Sequence, residues 1–147
     1  MALHPKAERT LAAWHRMVDA GDLSEVASLC TPDAVFRSPV AFAPYVGAPL
    51  VAQFLQQAML VFEEFDYHRT FYAGDDSVVL EFSARVGDKT LRGIDMIRFD
   101  AGGRITEFEV MVRPASGLQA LGAAMARRMG PILAAEQNRR SRGEEPR

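Results

Sequence analysis

The sequence is short of several features that would point directly to a function. It has one cysteine, Cys30, in 147 residues, so neither an intramolecular disulfide nor a multi-cysteine zinc site is expected. Its three histidines show no His-x-x-x-His spacing, and no metal ligation is expected. Neither sign of charge dominates: 17 basic residues stand against 19 acidic ones, for a net charge of −2. No strong field is available to draw in a phosphate backbone, so nucleic acid is not an expected partner. Apolar runs extend only a few residues, far short of the ~20 that span a bilayer, so no membrane partner is expected either. Met1 to Lys6 forms no apolar signal region, which together with the rest points to a soluble, cytoplasmic protein. Phosphate-binding glycine loops and nucleophile-elbow motifs are missing, and nothing calls for an organic cofactor: the expected set of cofactors is none.

What is present is a globular composition, 48% hydrophobic and 24% charged, on a chain long enough for one domain with a real core. Residues 1–135 are read as that domain and 136–147 as a charged tail that frays. Pro5 suits the first turn of a helix and Gly21 its stop, and Ala7, Leu11, Trp14 and Val18 form one apolar stripe between them. Asp22 and Glu25 have capping-box spacing before a second short helix that carries Val26, Leu29 and Cys30. Thr31-Pro32-Asp33 reads as a turn and Ala34-Val35-Phe36 as a short strand. Residues 39–49 hold three prolines and Gly47 and read as a loop. Pro49 can open a third helix with Phe54, Leu55, Ala58 and Phe62 inward.

From Phe65 the period changes to two. Phe65–Ala73, Ser77–Val86, Lys89–Phe99 and Arg104–Arg113 are β-rich and are joined by short Gly/Asp turns, which predicts an antiparallel meander. A final helical stretch after Pro114 carries Leu118, Leu121, Met125 and Met129 on one side and is expected to break at Gly130-Pro131. Helices first and a meander second is an α+β layout, in which a curved antiparallel sheet wraps around the N-terminal helices. A small molecule can sit in the hollow between them.

Three segments carry a resemblance. They are Val18-Asp19-Ala20-Gly21-Asp22-Leu23, then Leu29 to Pro39 (LCTPDAVFRSP), then Gly93 to Ile105 (GIDMIRFDAGGRI). In this order, with the strand ending Met111-Val112-Arg113-Pro114, the chain resembles the nuclear transport factor 2-like superfamily in its SnoaL-like branch, over roughly residues 7–115. The resemblance implies a cone-shaped, cystatin-like α+β barrel with an apolar pocket, a C-terminal helix and dimerisation through the sheet. It implies no single chemistry, since isomerases, epoxide hydrolases, dehydratases, polyketide cyclases and non-catalytic binders share the fold.

Asp95 is the strongest catalytic candidate. Leu91, Ile97 and Phe99 share its parity in the strand, so its carboxylate belongs on the apolar face. Desolvation there raises its pKa toward neutrality and suits it to acid or base work. The alternative is a structural carboxylate bonded to a donor on the first helix. By the resemblance, Asp95 matches the neutral acid of steroid isomerases and Trp14 falls where they carry a tyrosine. Ser38 stands in place of their catalytic aspartate, and Val110 where epoxide hydrolases of this fold carry an acid on the last strand. Trp14 can instead be a core anchor, and its indole can donate but cannot transfer a proton. His68 is a weaker second candidate: it shares a face with Asp66, Thr70 and Tyr72, with Phe65, Tyr67 and Phe71 opposite, and that polar face points to solvent or an interface. His15 reads as a surface or helix-packing residue and Cys30 as an inert buried one.

The expected pocket lining is Trp14 and Val18 from the first helix and Phe36 and Phe54 beyond it. The sheet adds Phe82, Ile97, Phe108, Val110 and Val112. In the last strand Phe108, Val110 and Val112 are expected to face in, with Glu107, Glu109, Met111 and Arg113 out. Tyr67, Phe71, Met96 and Met111 would form an apolar patch on the outer face and pair two copies as a homodimer. The Trp14 indole and the Asp95 carboxylate are expected to border one cavity, within direct or one-water hydrogen-bond reach. Three readings stay open: an isomerase, cyclase, dehydratase or hydrolase acting on a small apolar molecule with a polar oxygen; a binder using the same pocket; and a structural dimer whose pocket is filled by its own side chains.

Overall fold

The first helix, α1 (Pro5–Ala20), starts and stops where its end residues dictate. The computed structural model describes residues 2–143 of the chain. Pro5 occupies the first turn, and the His4 ring accepts a hydrogen bond from the Ala7 amide, 3.3 Å away. Gly21 closes the helix in the left-handed conformation, at φ 66°, which glycine adopts without a steric cost. The buried stripe is Ala7, Leu11 and Trp14.

The second helix of the sequence reading is a single 3-10 turn, Val26–Leu29. The Asp22 side chain caps only the Ser24 amide, and Glu25 makes no side-chain cap. Cys30 does not end a helix; it begins strand β1 (Cys30–Arg37), which runs straight through the expected Thr31-Pro32-Asp33 turn. Pro32 has no N–H to give to a ladder. It lies between Cys30 and Val35, where the pairing of β1 changes register. Within the expected loop, Tyr45–Val46 forms a short strand, β2, against Val35 and Phe36. Helix α2 (Ala48–Val61) follows with Pro49 in its first turn.

The meander is present as β3 (Glu63–Ala73), β4 (Ser77–Val86), β5 (Lys89–Phe99) and β6 (Ile105–Arg113), each antiparallel to the next. Strand β1 adds to β6 in parallel, and the full order is β2-β1-β6-β5-β4-β3, a curved sheet left unclosed. The α+β class is as the sequence implies. Alternation is clean in the central strands: Val78, Leu80, Phe82 and Ala84 of β4 are buried, as are Leu91, Asp95, Ile97 and Phe99 of β5. In β6 Phe108 is buried, while Glu107 faces out and bridges Arg37 (3.4 Å) and Arg98 (3.3 Å).

Strand β3 departs from alternation. Tyr67 pairs with Phe82 but Thr70 pairs with Leu80, so β3 takes three steps where β4 takes two. Such a bulge reverses side-chain parity. Phe65 and Tyr67 therefore share the face of Phe82, while Phe71, opposite Val79, points out and is 45% exposed. Tyr67 is thus removed from the outer-face patch.

The last helix, α3, runs unbroken from Ala115 to Ser141 with Pro131 inside it, so the expected break at Gly130-Pro131 is not there. The clash that drives a residue out of the helix before proline involves its Cβ, and Gly130 has none. Met129, 2% exposed, anchors one side, and Ile132 and Leu133 pack on the core beyond. The helix crosses residue 136, where the charged tail was expected to begin; Glu136 accepts hydrogen bonds from Arg139 and Arg140. Residues 144–147 of that tail lie outside the described residues.

Candidate functional site

A cavity of about 230 Å³ lies between the helices and the inner face of the sheet. Its wall is almost wholly apolar. Phe36, Phe54 and Phe108 form one side, with the Phe36 and Phe54 rings stacked at 4.7 Å. Helix α3 supplies the opposite side through Leu121, Met125, Met129 and Leu133, four residues apart and so on one helical face.

The polar groups converge at one point. Asp95 lines the cavity and is 6% exposed. Its Oδ2 accepts a hydrogen bond from the Tyr67 hydroxyl at 2.5 Å, and that hydroxyl accepts one from Trp14 Nε1 at 3.0 Å. The expected proximity of Trp14 and Asp95 is therefore mediated by a tyrosine, not direct or through one water. Burial pushes the Asp95 carboxyl up from its ordinary 3.8 to about 7, with the Tyr67 hydrogen bond pulling the other way. Tyr67 is held well above its ordinary range, first by burial, then by the charge and hydrogen bond of Asp95. Among the described residues no cation lines the cavity. A carboxyl in this setting changes protonation near neutral pH and can give or take a proton there.

Of the residues expected to line the pocket, Trp14, Phe36, Phe54, Phe108 and Val110 border the cavity along with Asp95. Phe82 and Ile97 are buried behind the wall, and Val18 and Val112 pack on the core clusters. His68 is exposed, bonds Ser83 Oγ at 2.7 Å and does not join Asp95. Ser38 and Val110 both reach the cavity, so neither position brings a second acid to it. His15 packs edge-on against the Tyr67 ring, 5.3 Å between centroids, and burial lowers its pKa. Burial raises the Cys30 thiol to about 11, which keeps it protonated and unreactive. Among the described residues no group of three or more His, Cys, Asp or Glu side chains is placed to hold a metal ion, and no helix is long and apolar enough to cross a membrane.

Tyr67 and the α3 wall are the parts of the site that strand parity and helix breaks concealed. For Tyr67 the one available signal was its shared parity with Phe65 and Phe71 in a β-rich run, and the bulge scrambles that signal by turning Phe71 outward while Phe65 and Tyr67 stay inside.

The model of the SnoaL-like domain matches residues 11–108. The chain belongs to the SnoaL-like family. Among solved structures, this SnoaL-like chain is similar to a steroid delta-isomerase from Pseudomonas aeruginosa. The two are 57% identical, with a TM-score of 0.86, over 90% of this chain and 97% of that one. A protein with a cystatin-like fold from Silicibacter pomeroyi is 33% identical over 93% and 94% of the two chains, at a TM-score of 0.81. A nuclear transport factor 2-like protein from Mesorhizobium loti shares the fold at 21% identity, with a TM-score of 0.66 over 78% of this chain and 100% of that one. No curated protein matches the sequence.

Proposed function

We propose that this SnoaL-like protein is a cofactor-independent acid–base enzyme. Its substrate is a small, mostly apolar molecule with a polar oxygen, and Asp95 gives or takes the proton. The observation that carries this reading is a single carboxyl, poised to titrate near pH 7, on the wall of an otherwise apolar cavity. Neutral Asp95 donates a hydrogen bond to a substrate oxygen; ionised Asp95 takes a proton from a carbon made acidic by a neighbouring carbonyl. Both forms are populated at neutral pH, which suits a group that must accept a proton and return it.

A double-bond shift is the reaction favoured, because the 57%-identical relative is a steroid delta-isomerase. In that step the carboxylate takes a proton from the carbon between a carbonyl and an alkene. The alkene moves into conjugation, and the same carboxyl returns the proton to the far carbon. No atoms are gained or lost. Tyr45 and Ser38, also on the cavity wall, supply hydroxyls toward the substrate oxygen. The test is an unconjugated ketosteroid, with its product followed by ultraviolet absorption. Asp95→Asn is expected to lower kcat by about 10²–10⁴-fold; a variant that keeps wild-type turnover would remove the assignment.

A specific observation favours a second reading. Ser38 and Val110 leave Asp95 without a partner acid, as in a pocket that binds and does not turn over. Tight binding of the same ketosteroids with no conversion in the wild type selects this binder over the enzyme. Either reading includes a homodimer packed through the outer face of the sheet, where Phe71 and Met111 are exposed.

A further inference from the structure

The chain of hydrogen bonds behind Asp95 has a direction. An indole N–H donates and never accepts, and a hydroxyl has one hydrogen to give. Trp14 Nε1 donates to the Tyr67 oxygen, and the Tyr67 hydrogen goes to Asp95 Oδ2. Among the described residues the Tyr67 hydroxyl has no other acceptor and the Asp95 carboxyl no other hydrogen-bond partner. The second carboxyl oxygen, Oδ1, is thus the one left for the cavity that Asp95 lines.

We propose that Trp14 and Tyr67 are positioning residues that decide which oxygen of Asp95 carries the proton. Oδ2 is held as a permanent acceptor, so the exchangeable proton lives on Oδ1, the oxygen turned to the substrate. This rests on Asp95 being the proton-moving group. The chain also strengthens itself: an N–H donated to the Tyr67 oxygen polarises its O–H and makes it a better donor to the carboxylate. The surroundings leave this effect unmasked. Leu80 and Val110 flank Asp95 on β4 and β6, while Glu81 and Glu109 alternate to the other face. Among the described residues Tyr45 of β2 is the one titratable group on the cavity wall besides Asp95 and Tyr67; α2 and α3 contribute none to it. His15 of α1 touches the far side of the Tyr67 ring.

Trp14 is the sole tryptophan of the chain, so biosynthetic replacement of tryptophan alters this site alone. Benzothienylalanine keeps the shape that packs edge-on against Phe108 at 5.2 Å but has sulfur in place of the N–H. Tyr67→Phe likewise keeps its ring. The experiment follows the Asp95 carboxyl carbon by NMR against pH in the ligand-free protein, with Asp95→Asn for assignment. Tyr67→Phe is expected to raise the midpoint by about one to two pH units. The Trp14 isostere is expected to raise it by a few tenths, and the pH profile of turnover should move in parallel. Wild-type midpoints in both replacements would overturn the proposal. The two readings fail separately: turnover that survives Asp95→Asn removes the catalytic assignment, while unshifted midpoints beside Asp95-dependent turnover remove only the positioning role.

Discussion

At the scale of single residues, Asp95 makes the fold work against its own site. Its carboxyl titrates at about 7 in the folded chain against an ordinary 3.8, so between those values the native state holds a proton that the unfolded state has lost. Stability then falls as pH rises from about 4 to 7 and is flat above, by up to roughly 4 kcal/mol from this group. Asp95→Asn is expected to abolish that slope and to stabilise the protein at pH 8, as urea denaturation at several pH values will show. Gly93, two positions earlier, is a second constrained point. A Cβ there would lie 2.4 Å from Phe82 Cζ and 2.7 Å from the Met111 carbonyl oxygen. Gly93→Ala is expected to cost roughly 1–3 kcal/mol, read as a lower urea midpoint. Asp95 was legible in the sequence because β5 alternates without interruption and its apolar neighbours share its parity. Tyr67 was not, because one extra residue in β3 turns the strand over between Tyr67 and Thr70, and no local propensity announces a bulge.

At the scale of elements, composition read the regular strands well and the irregular joints poorly. The turns of the meander contain Gly74, Gly87 and Gly103, all at positive φ, and these marked the strand ends to within a residue or two. The joints that misled are those where long-range pairing or packing outweighs a local signal. Thr31-Pro32-Asp33 looks like a turn yet stays extended, because β6 holds β1 on both sides of the proline. Gly130-Pro131 looks like a stop, yet α3 continues because Met129 and Leu133 are both held at the cavity wall. The proline still deprives the helix of one backbone hydrogen bond. Pro131→Ala restores that donor and is expected to add roughly 1–3 kcal/mol, seen as a higher Tm with the cavity intact. The candidate site was legible at Trp14 of α1 and at Asp95, Phe108 and Val110 of the regular strands, and hidden at Tyr67 of β3 and on the side that α3 builds.

At the scale of the whole molecule, the helices cover only one face of the sheet. The other carries Phe71 and Met111, 45% and 47% exposed, beside a cluster in which Arg69 and Arg92 converge on Glu81. Large apolar groups ringed by charge suit a second copy of the same face. Sedimentation is expected to show a dimer at micromolar concentration and a monomer for Met111→Arg; a wild-type monomer would sink the proposal. Strand order has a different consequence, for the chain as it is being made. Strand β6 is the last to be translated, yet it lies between β1 and β5. Phe36 must find Phe108, which emerges from the ribosome roughly 4–14 s later at about 5–20 residues per second. Until then the edge of β1 that meets β6 is bare, while the short β2 holds its opposite edge and α2 packs on the strand. A nascent chain that stops short of β6 has two half-sheets and no way to join them, so the sheet is completed in one step, when β6 arrives.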